Sequence, residues 1–434
     1  RLTITSLDHK ERRAPALRQS QRQRSAPGKI TSHTLSNGLQ LVHRHDPRVP
    51  TVYLQAAFQT GLPSETPATN GINRLHSTLL TMGTTSRSSA DIAEEIESLG
   101  ASLRASSGNN TTILSTFCLT PDLRKVLEVA SDVLLHPTFP QAALERERET
   151  QLADLDDALE DPVKTAFRTL RKQLFGDQHY GLPRLGSEES LMPLTPKLIQ
   201  QHHQRHITGG NGALALFGDV SRDEAIALCE EFFALLPPGS PPASHQHSAT
   251  GTGEILSHLD KQQAVLAIGY PGASAVSEDA PALELIHDYL SNMAGPLFTK
   301  IREELGLAYF VSATQFHGLG TGLFAFYLGT SPDQLDLARV NLVAEIARLA
   351  REGIPDEPLQ HSKTSLLAAD ALENQSNRAM AQTCVINTLL GLGPLHHAES
   401  AKRMAALTPA DIRKVAARYF GGVEPVIATV LPNA

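Results

Sequence analysis

A proline-rich run cuts this chain near its middle. Leu236-Pro237-Pro238-Gly239-Ser240-Pro241-Pro242-Ala243-Ser244 has the composition of an extended, semi-rigid spacer. The two sides of the spacer share a pattern. Leu194-Thr195-Pro196, with Ile199 five residues past Leu194, recurs as Leu407-Thr408-Pro409 with Ile412, an offset of 213 residues from 194 to 407. Each copy opens a helix and leads into an apolar strand, Gly212–Gly218 in the first case and Pro425–Leu431 in the second. A spacer at mid-length with the same order on each side predicts two homologous halves of about 200 residues, each of mixed α and β structure. The expected division is an arm at 1–28, a first domain at 29–236, a linker at 237–252 and a second domain at 253–434.

Within the first half, the pattern is that of an α+β unit. Leu39–His43 and Val52–Phe58 read as strands, with Asn37-Gly38 as a turn before the first. Ser89–Glu97 reads as a capped helix ended by Gly100. Leu103–Leu119 alternates like a strand pair around Gly108-Asn109-Asn110. Residues 121–175 look helical with a break near Asp161-Pro162, and Arg222–Leu235 is a further helix. Residues 1–28 carry arginines among Gln, Ser and Pro without apolar periodicity, and read as a flexible arm or one that packs on a partner chain.

Composition removes several function classes. Hydrophobic residues make up 41% and charged residues 19%, enough apolar material for large cores and too little charge for a disordered chain. The net charge of −8 speaks against nucleic-acid binding, which needs clustered cations on phosphates. No apolar run approaches the roughly 20 residues of a membrane-spanning helix. Cys118, Cys229 and Cys384 form no CxxC pair, so they read as small buried hydrophobes.

Four stretches carry a family resemblance. Gly71-Ile72-Asn73-Arg74-Leu75-His76-Ser77-Thr78-Leu79-Leu80-Thr81-Met82-Gly83-Thr84 resembles the active-site helix of the pitrilysin/insulinase-type metallopeptidases, family M16. Arg87–Gly100, Leu174–Pro183 and Leu185–Ser190 are similar to segments that follow in that family. The resemblance runs from about residue 30 to the end. It implies two homologous α+β halves with mainly antiparallel sheets packed with helices, forming half of a clamshell chamber.

The family's helix bears His-x-x-Glu-His. Histidines four apart share one helix face and bind zinc, with the intervening Glu as general base toward metal-bound water. Here those three positions hold Arg74, Ser77 and Thr78. The family's third ligand, a downstream Glu, falls on Asp154 when Glu147-Arg148-Glu149 is aligned. A cation, two hydroxyls and one carboxylate do not make a zinc site, so no metal or other cofactor is expected in this chain.

Other histidines give weak signals. His76 lies two residues from Arg74 and from Thr78, which turns it off the ligand face, to be solvent-facing or locally packed. His202 and His206 have i,i+4 spacing with His203 beside them, but no HExxH-type Glu lies between. His43-Arg44-His45 and His396-His397 sit at element ends. Gly318-Leu319-Gly320-Thr321-Gly322 lies between strands and reads as a hairpin turn. Asp333, Asp336 and Arg339 read as the solvated face of a helix.

In the second half, Leu297–Tyr309 is nearly the family's C-terminal signature, with Gly306 in a left-handed cap position and Tyr309 at the head of a strand. The resemblance implies that Arg302 and Tyr309 reach across the clamshell to the zinc-bearing half and hold the substrate backbone, donating hydrogen bonds to the developing oxyanion. The expected function is therefore that of the zinc-less subunit of a heterodimeric M16 zinc peptidase. The partner subunit would carry the intact motif and the Zn²⁺, and peptides would bind by adding a strand to a sheet edge, with Leu103–Leu119 as the matching region. A structural or assembly subunit, like the degenerate family members of respiratory complexes, is the alternative. A self-sufficient hydrolase with a relocated site has only scattered histidines behind it. The family's frequent export in Gram-negative bacteria leads to the expectation of a periplasmic location, with the cytoplasm as the alternative.

Overall fold

The structure, a computed structural model, describes residues 26–240 and 248–433. The expected arm and the middle of the proline-rich spacer lie almost wholly outside the described residues.

The first half runs β1 (Thr31–Thr34), β2 (Gln40–His45), β3 (Thr51–Gln59), α1 (Ile72–Leu79), α2 (Ser89–Glu97), β4 (Ser102–Ser107) and β5 (Thr111–Leu119). It continues with α3 (Leu123–Leu135), α4 (Gln141–Glu160), α5 (Pro162–Phe175), α6 (Glu188–Leu191), α7 (Pro196–His206), β6 (Gly212–Gly218) and α8 (Arg222–Phe233). The second half runs β7 (Gly253–Leu259), β8 (Ala264–Gly272), α9 (Ala280–Ser291), a π-helical segment (Leu297–Glu304), β9 (Phe310–Phe316) and β10 (Gly322–Thr330). Then follow α10 (Leu335–Glu352), α11 (Asp356–Glu373), α12 (Asn377–Leu389), α13 (His396–Ala406), α14 (Pro409–Phe420) and β11 (Val426–Pro432). The helical stretch expected at 121–175 is broken twice, at Asp161 and also between α3 and α4, where Phe139 takes φ +47°.

The sheets repeat one topology. The first has the order β1-β2-β6-β3-β5-β4 and the second β7-β11-β8-β10-β9. In each, the strand after the Leu-Thr-Pro helix is an inner strand, parallel to one neighbour and antiparallel to the other: β6 between β2 and β3, β11 between β7 and β8. The antiparallel expectation therefore holds for every pair but one in each sheet. The repeated tripeptide has a local cause. Thr195 and Thr408 are N-caps, accepting from Leu198 N–H and Asp411 N–H, and Pro occupies the first turn, where its missing N–H is not needed.

Each half lends a helix to the other. The central strands are buried on both faces, so alternate residues enter different cores. Leu214 and Leu216 of β6 pack with helices of their own half, while Ala213, Ala215 and Phe217 pack on Ala381, Cys384 and Val385 of α12. Reciprocally, Leu266 and Ile268 of β8 face the second half's helices, and Val265 and Ala267 meet Ala166, Leu170 and Leu174 of α5. Asp161 starts α5 by accepting from the N–H groups of Val163 and Lys164 at 2.8 and 3.0 Å. The three cysteines are buried, and burial pushes each thiol up to about 12.

The exchange makes a close contact at Gly269, where a Cβ would lie 2.6 Å from Leu170 Cδ2 of α5. Gly269→Ala is expected to destabilise the chain by roughly 1–3 kcal/mol through overpacking between α5 and the second sheet. Urea unfolding measures it, and an unchanged midpoint would mean that α5 does not seat there.

Candidate functional site

Helix α1 is anchored at its start by a buried carboxylate. Glu65 accepts from Gly71 N–H (2.9 Å), Asn73 N–H (3.0 Å), Asn73 Nδ2 (2.7 Å) and Asn70 Nδ2 (2.6 Å). Burial pushes its pKa up, and these four donors pull it back. Gln151 of α4 donates to Gly71 O (3.2 Å) and Leu185 O (2.8 Å), which fixes α4 against the head of α1. Both elements are thereby held in register.

Arg74, Ser77 and Thr78, at i, i+3 and i+4 on one face of α1, line a cavity of about 560 Å³. The Arg74 guanidinium forms an ion pair with Asp154 of α4, each side chain being about two-fifths exposed. Two of the three positions aligned with zinc ligands, Arg74 and Asp154, are thus brought together as partners of each other, and Thr78 stands beside Arg74 in the cavity lining. Ser77 Oγ donates 2.9 Å to Arg74 O within its own helix. A metal needs several free lone pairs, whereas here one position is a cation and the single carboxylate is bound to it. These residues do not fit a zinc ion. Among the described residues no group of three or more His, Cys, Asp or Glu side chains is arranged to hold a metal.

His76 faces the opposite way, into the core, and is wholly buried. The solvent-facing alternative is therefore wrong: apolar packing on this side of α1 carries His76 inward. Its Nε2 lies 3.0 Å from His203 Nδ1, and His203 Nε2 lies 2.9 Å from Leu134 O. A carbonyl only accepts, so His203 carries its proton on Nε2. Its Nδ1 then accepts from His76 Nε2–H, and His76 Nδ1, buried, is left without a partner. His202 Nε2 lies 3.1 Å from Asn73 Oδ1, and the His206 ring is centred 4.6 Å from that of His202. Burial holds His202 down at about 3 and His203 and His206 at about 4, and drives His76 well below its ordinary value. These rings are a neutral core cluster against Phe139.

The other side of the cavity was not foreseen from the sequence. Lys164, Arg168 and Arg171 line it from α5, and Arg184 from the loop after it. The spacing of the first three, i, i+4 and i+7, marks one helix face and was the available signal.

In the second half, Arg302 lies on the π-helical segment with its guanidinium 4.9 Å over the Phe298 ring and 3.9 Å from Glu303. Gly306 closes the segment at φ +63°. Tyr309 N–H donates to Gly329 O (2.8 Å), which sets the start of β9, while the Tyr309 side chain stays 55% exposed. Neither residue lines the cavity beside Arg74. The chain thus presents them outward and does not bring them to the cavity beside Arg74. Gly318–Gly322 is the turn between β9 and β10, as expected. Arg339 ion-pairs with Glu254 of β7.

Known proteins match this architecture. The family model for insulinase-type peptidase family M16 covers residues 40–188, and that for the peptidase M16 inactive domain covers 193–366. An uncharacterized zinc protease of Rickettsia bellii is 26% identical over 80% of this chain and 82% of its own length. Another, from Streptomyces coelicolor, is 26% identical over 93% and 90%. The solved structure of a peptidase M16 inactive domain from Pseudomonas fluorescens superposes with a TM-score of 0.88 at 22% identity, covering 94% of this chain and 98% of that one. A Helicobacter pylori protease gives a TM-score of 0.84 at 17% identity, over 93% and 99%. No helix among the described residues is long and apolar enough to cross a membrane. With both family models matched in tandem on two sheets of the same topology, the chain belongs to peptidase family M16.

Proposed function

We propose that this chain is the zinc-less subunit of a two-chain M16 peptidase. Its partner carries the intact His-x-x-Glu-His helix and the Zn²⁺. This chain supplies Arg302 and Tyr309 to the partner's site and presents the edge strand β4 for a peptide to add to. The observation that carries the reading is the contrast between the two halves. Two of the three positions aligned with zinc ligands are spent on an Arg74–Asp154 ion pair, while Arg302 and Tyr309 keep their side chains open to a second chain. An Arg beside a carboxylate stabilises the fold at a place where zinc would otherwise neutralise it. An exposed phenol and guanidinium retain the donors that an oxyanion needs.

The test is reconstitution. The purified chain is expected to contain no stoichiometric zinc by metal analysis and to leave a quenched-fluorescence peptide uncut. Adding an M16 chain with the intact motif should give a 1:1 complex that cleaves the peptide and carries one zinc per pair. A partner that cleaves equally well without this chain, or stoichiometric zinc in the isolated chain, overturns the reading.

A further inference from the structure

We propose that the cavity beside Arg74 is a carboxylate-binding pocket that selects an acidic residue in a peptide lying along β4. This rests on the reading of the chain as a peptide-holding subunit and adds a preference to it.

The charge inventory of the cavity is one-sided. Five cationic side chains line it: Arg74, Lys164, Arg168, Arg171 and Arg184. Its one lining carboxylate, Glu65, has both oxygens occupied by four N–H donors. Arg74 is matched by Asp154, and Lys164 stands 3.8 Å from Asp161, whose other oxygen caps α5. The remaining three arginines have no acid. Arg168 and Arg184 make no hydrogen bond or ion pair among the described residues, and Arg184 lies near enough to Arg171 to repel it. Arg171 Nε donates to Tyr180 O at 2.8 Å and its guanidinium sits 5.2 Å over Phe316, but its Nη2 is buried with no acceptor. A buried guanidinium N–H without a partner costs free energy, and the groups open to an incoming anion are the exposed Arg168 and Arg184.

The shape of the cavity favours a carboxylate on a peptide. Residues 105–108, at the end of β4 and into the turn, form one wall, and among the described residues β4 is an edge strand with β5 as its sheet neighbour. A peptide paired to that edge points alternate side chains to one face, so every second residue faces the cavity. Leu62, Leu155, Phe167 and Leu182 give the apolar lining for the methylenes of a Glu or Asp. The planar guanidinium fork accepts a carboxylate with two parallel hydrogen bonds. The loss of the family's acidic base at Ser77 removes the charge that would otherwise repel such a ligand.

The experiment uses fluorescence polarisation on the full isolated chain with three labelled peptides of one scrambled sequence. One has a central Glu-Glu and an amidated C-terminus, one Gln-Gln and an amidated C-terminus, and one Gln-Gln with a free C-terminus. The Glu-Glu peptide is expected to bind about tenfold tighter than its amidated Gln-Gln counterpart, with the margin shrinking as salt rises. Arg168→Gln with Arg184→Gln, both exposed positions, should erase the margin between the two amidated peptides. A preference for the free C-terminus over both amidated peptides would assign the pocket to a terminal carboxylate. Equal binding of all three peptides overturns the pocket while leaving the peptide-holding subunit in place, as does a margin that survives the double substitution. A clear margin together with no cleavage after reconstitution has the opposite meaning: the pocket stands and the proposed function falls.

Discussion

Tyr309→Phe is expected to lower the turnover of the reconstituted complex by roughly a hundredfold or more, the cost of losing one donor to a developing oxyanion. The substitution removes one hydroxyl from a side chain that is 55% exposed and makes no described hydrogen bond through that hydroxyl. The backbone N–H that anchors residue 309 to Gly329 O is retained, so β9 should form unchanged. Folding, assembly and the partner's zinc content should therefore match those of the unsubstituted complex, and the loss should appear in kcat. Arg302→Ala should raise KM as well, because a guanidinium also holds a ground-state carbonyl. Arg302 is held only by Phe298 and a distant Glu303, which leaves it free to reorient toward a substrate. Steady-state kinetics on each assembled variant decides the matter. Wild-type rates for both would mean that the second half has no share in catalysis, and the assembly-subunit reading would replace the one proposed.

Acid is expected to unfold this chain early, between about pH 6 and pH 4, because its core histidines are neutral and cannot be protonated in place. The sign follows from where the protons go. His202, His203 and His206 have folded pKa values of about 3, 4 and 4, and His76 lies well below its ordinary value. In the unfolded chain all four return to about 6.5. As pH falls below that value the unfolded state binds protons that the folded state refuses. Stability is thus complete above about pH 6.5 and is lost down to the folded values, at roughly 1.4 kcal/mol per pH unit for each proton taken up. The described partners of these rings are Asn73 Oδ1, Leu134 O and one another, so no carboxylate hydrogen-bonds to them and offsets the loss. Urea unfolding at about pH 7, 6 and 5 should show a slope equivalent to three or four protons. His206→Gln, at the half-buried edge of the cluster, should reduce that slope by about one proton. A stability that stays flat over this range would show that the rings are not buried as a neutral group.

Much of the fold was legible because its signals are local. The Thr-Pro starts of α7 and α14 are capping chemistry, written in adjacent residues. The alternation of β4 and β5 and the glycine cap after Arg302 are likewise local. The spacer and the repeat at 213 residues led to two halves of like topology, and the two sheets have it. At the candidate site, periodicity put Arg74, Ser77 and Thr78 on a common face of one helix turn, and all three line the cavity.

Partner choice could not be read in the same way. An apolar stripe on α5 or α12 says that the face is buried, but not on which sheet. The answer, the sheet of the other half in both cases, follows from both faces of β6 and β8 being apolar and from connections long enough to cross over. The same holds for charge. Arg74 and Asp154 are far apart in sequence, and their pairing depends on Glu65 and Gln151 holding α1 against α4. His76 read alone left a solvent-facing and a locally packed side chain open, and only the approach of α7 placed it beside His203. The sequence by itself thus determined many of the elements, the duplication and the common face of Arg74, Ser77 and Thr78. The tertiary structure decided which faces meet, because long-range contacts are selected by the fit of whole surfaces, and no short window of residues encodes that fit.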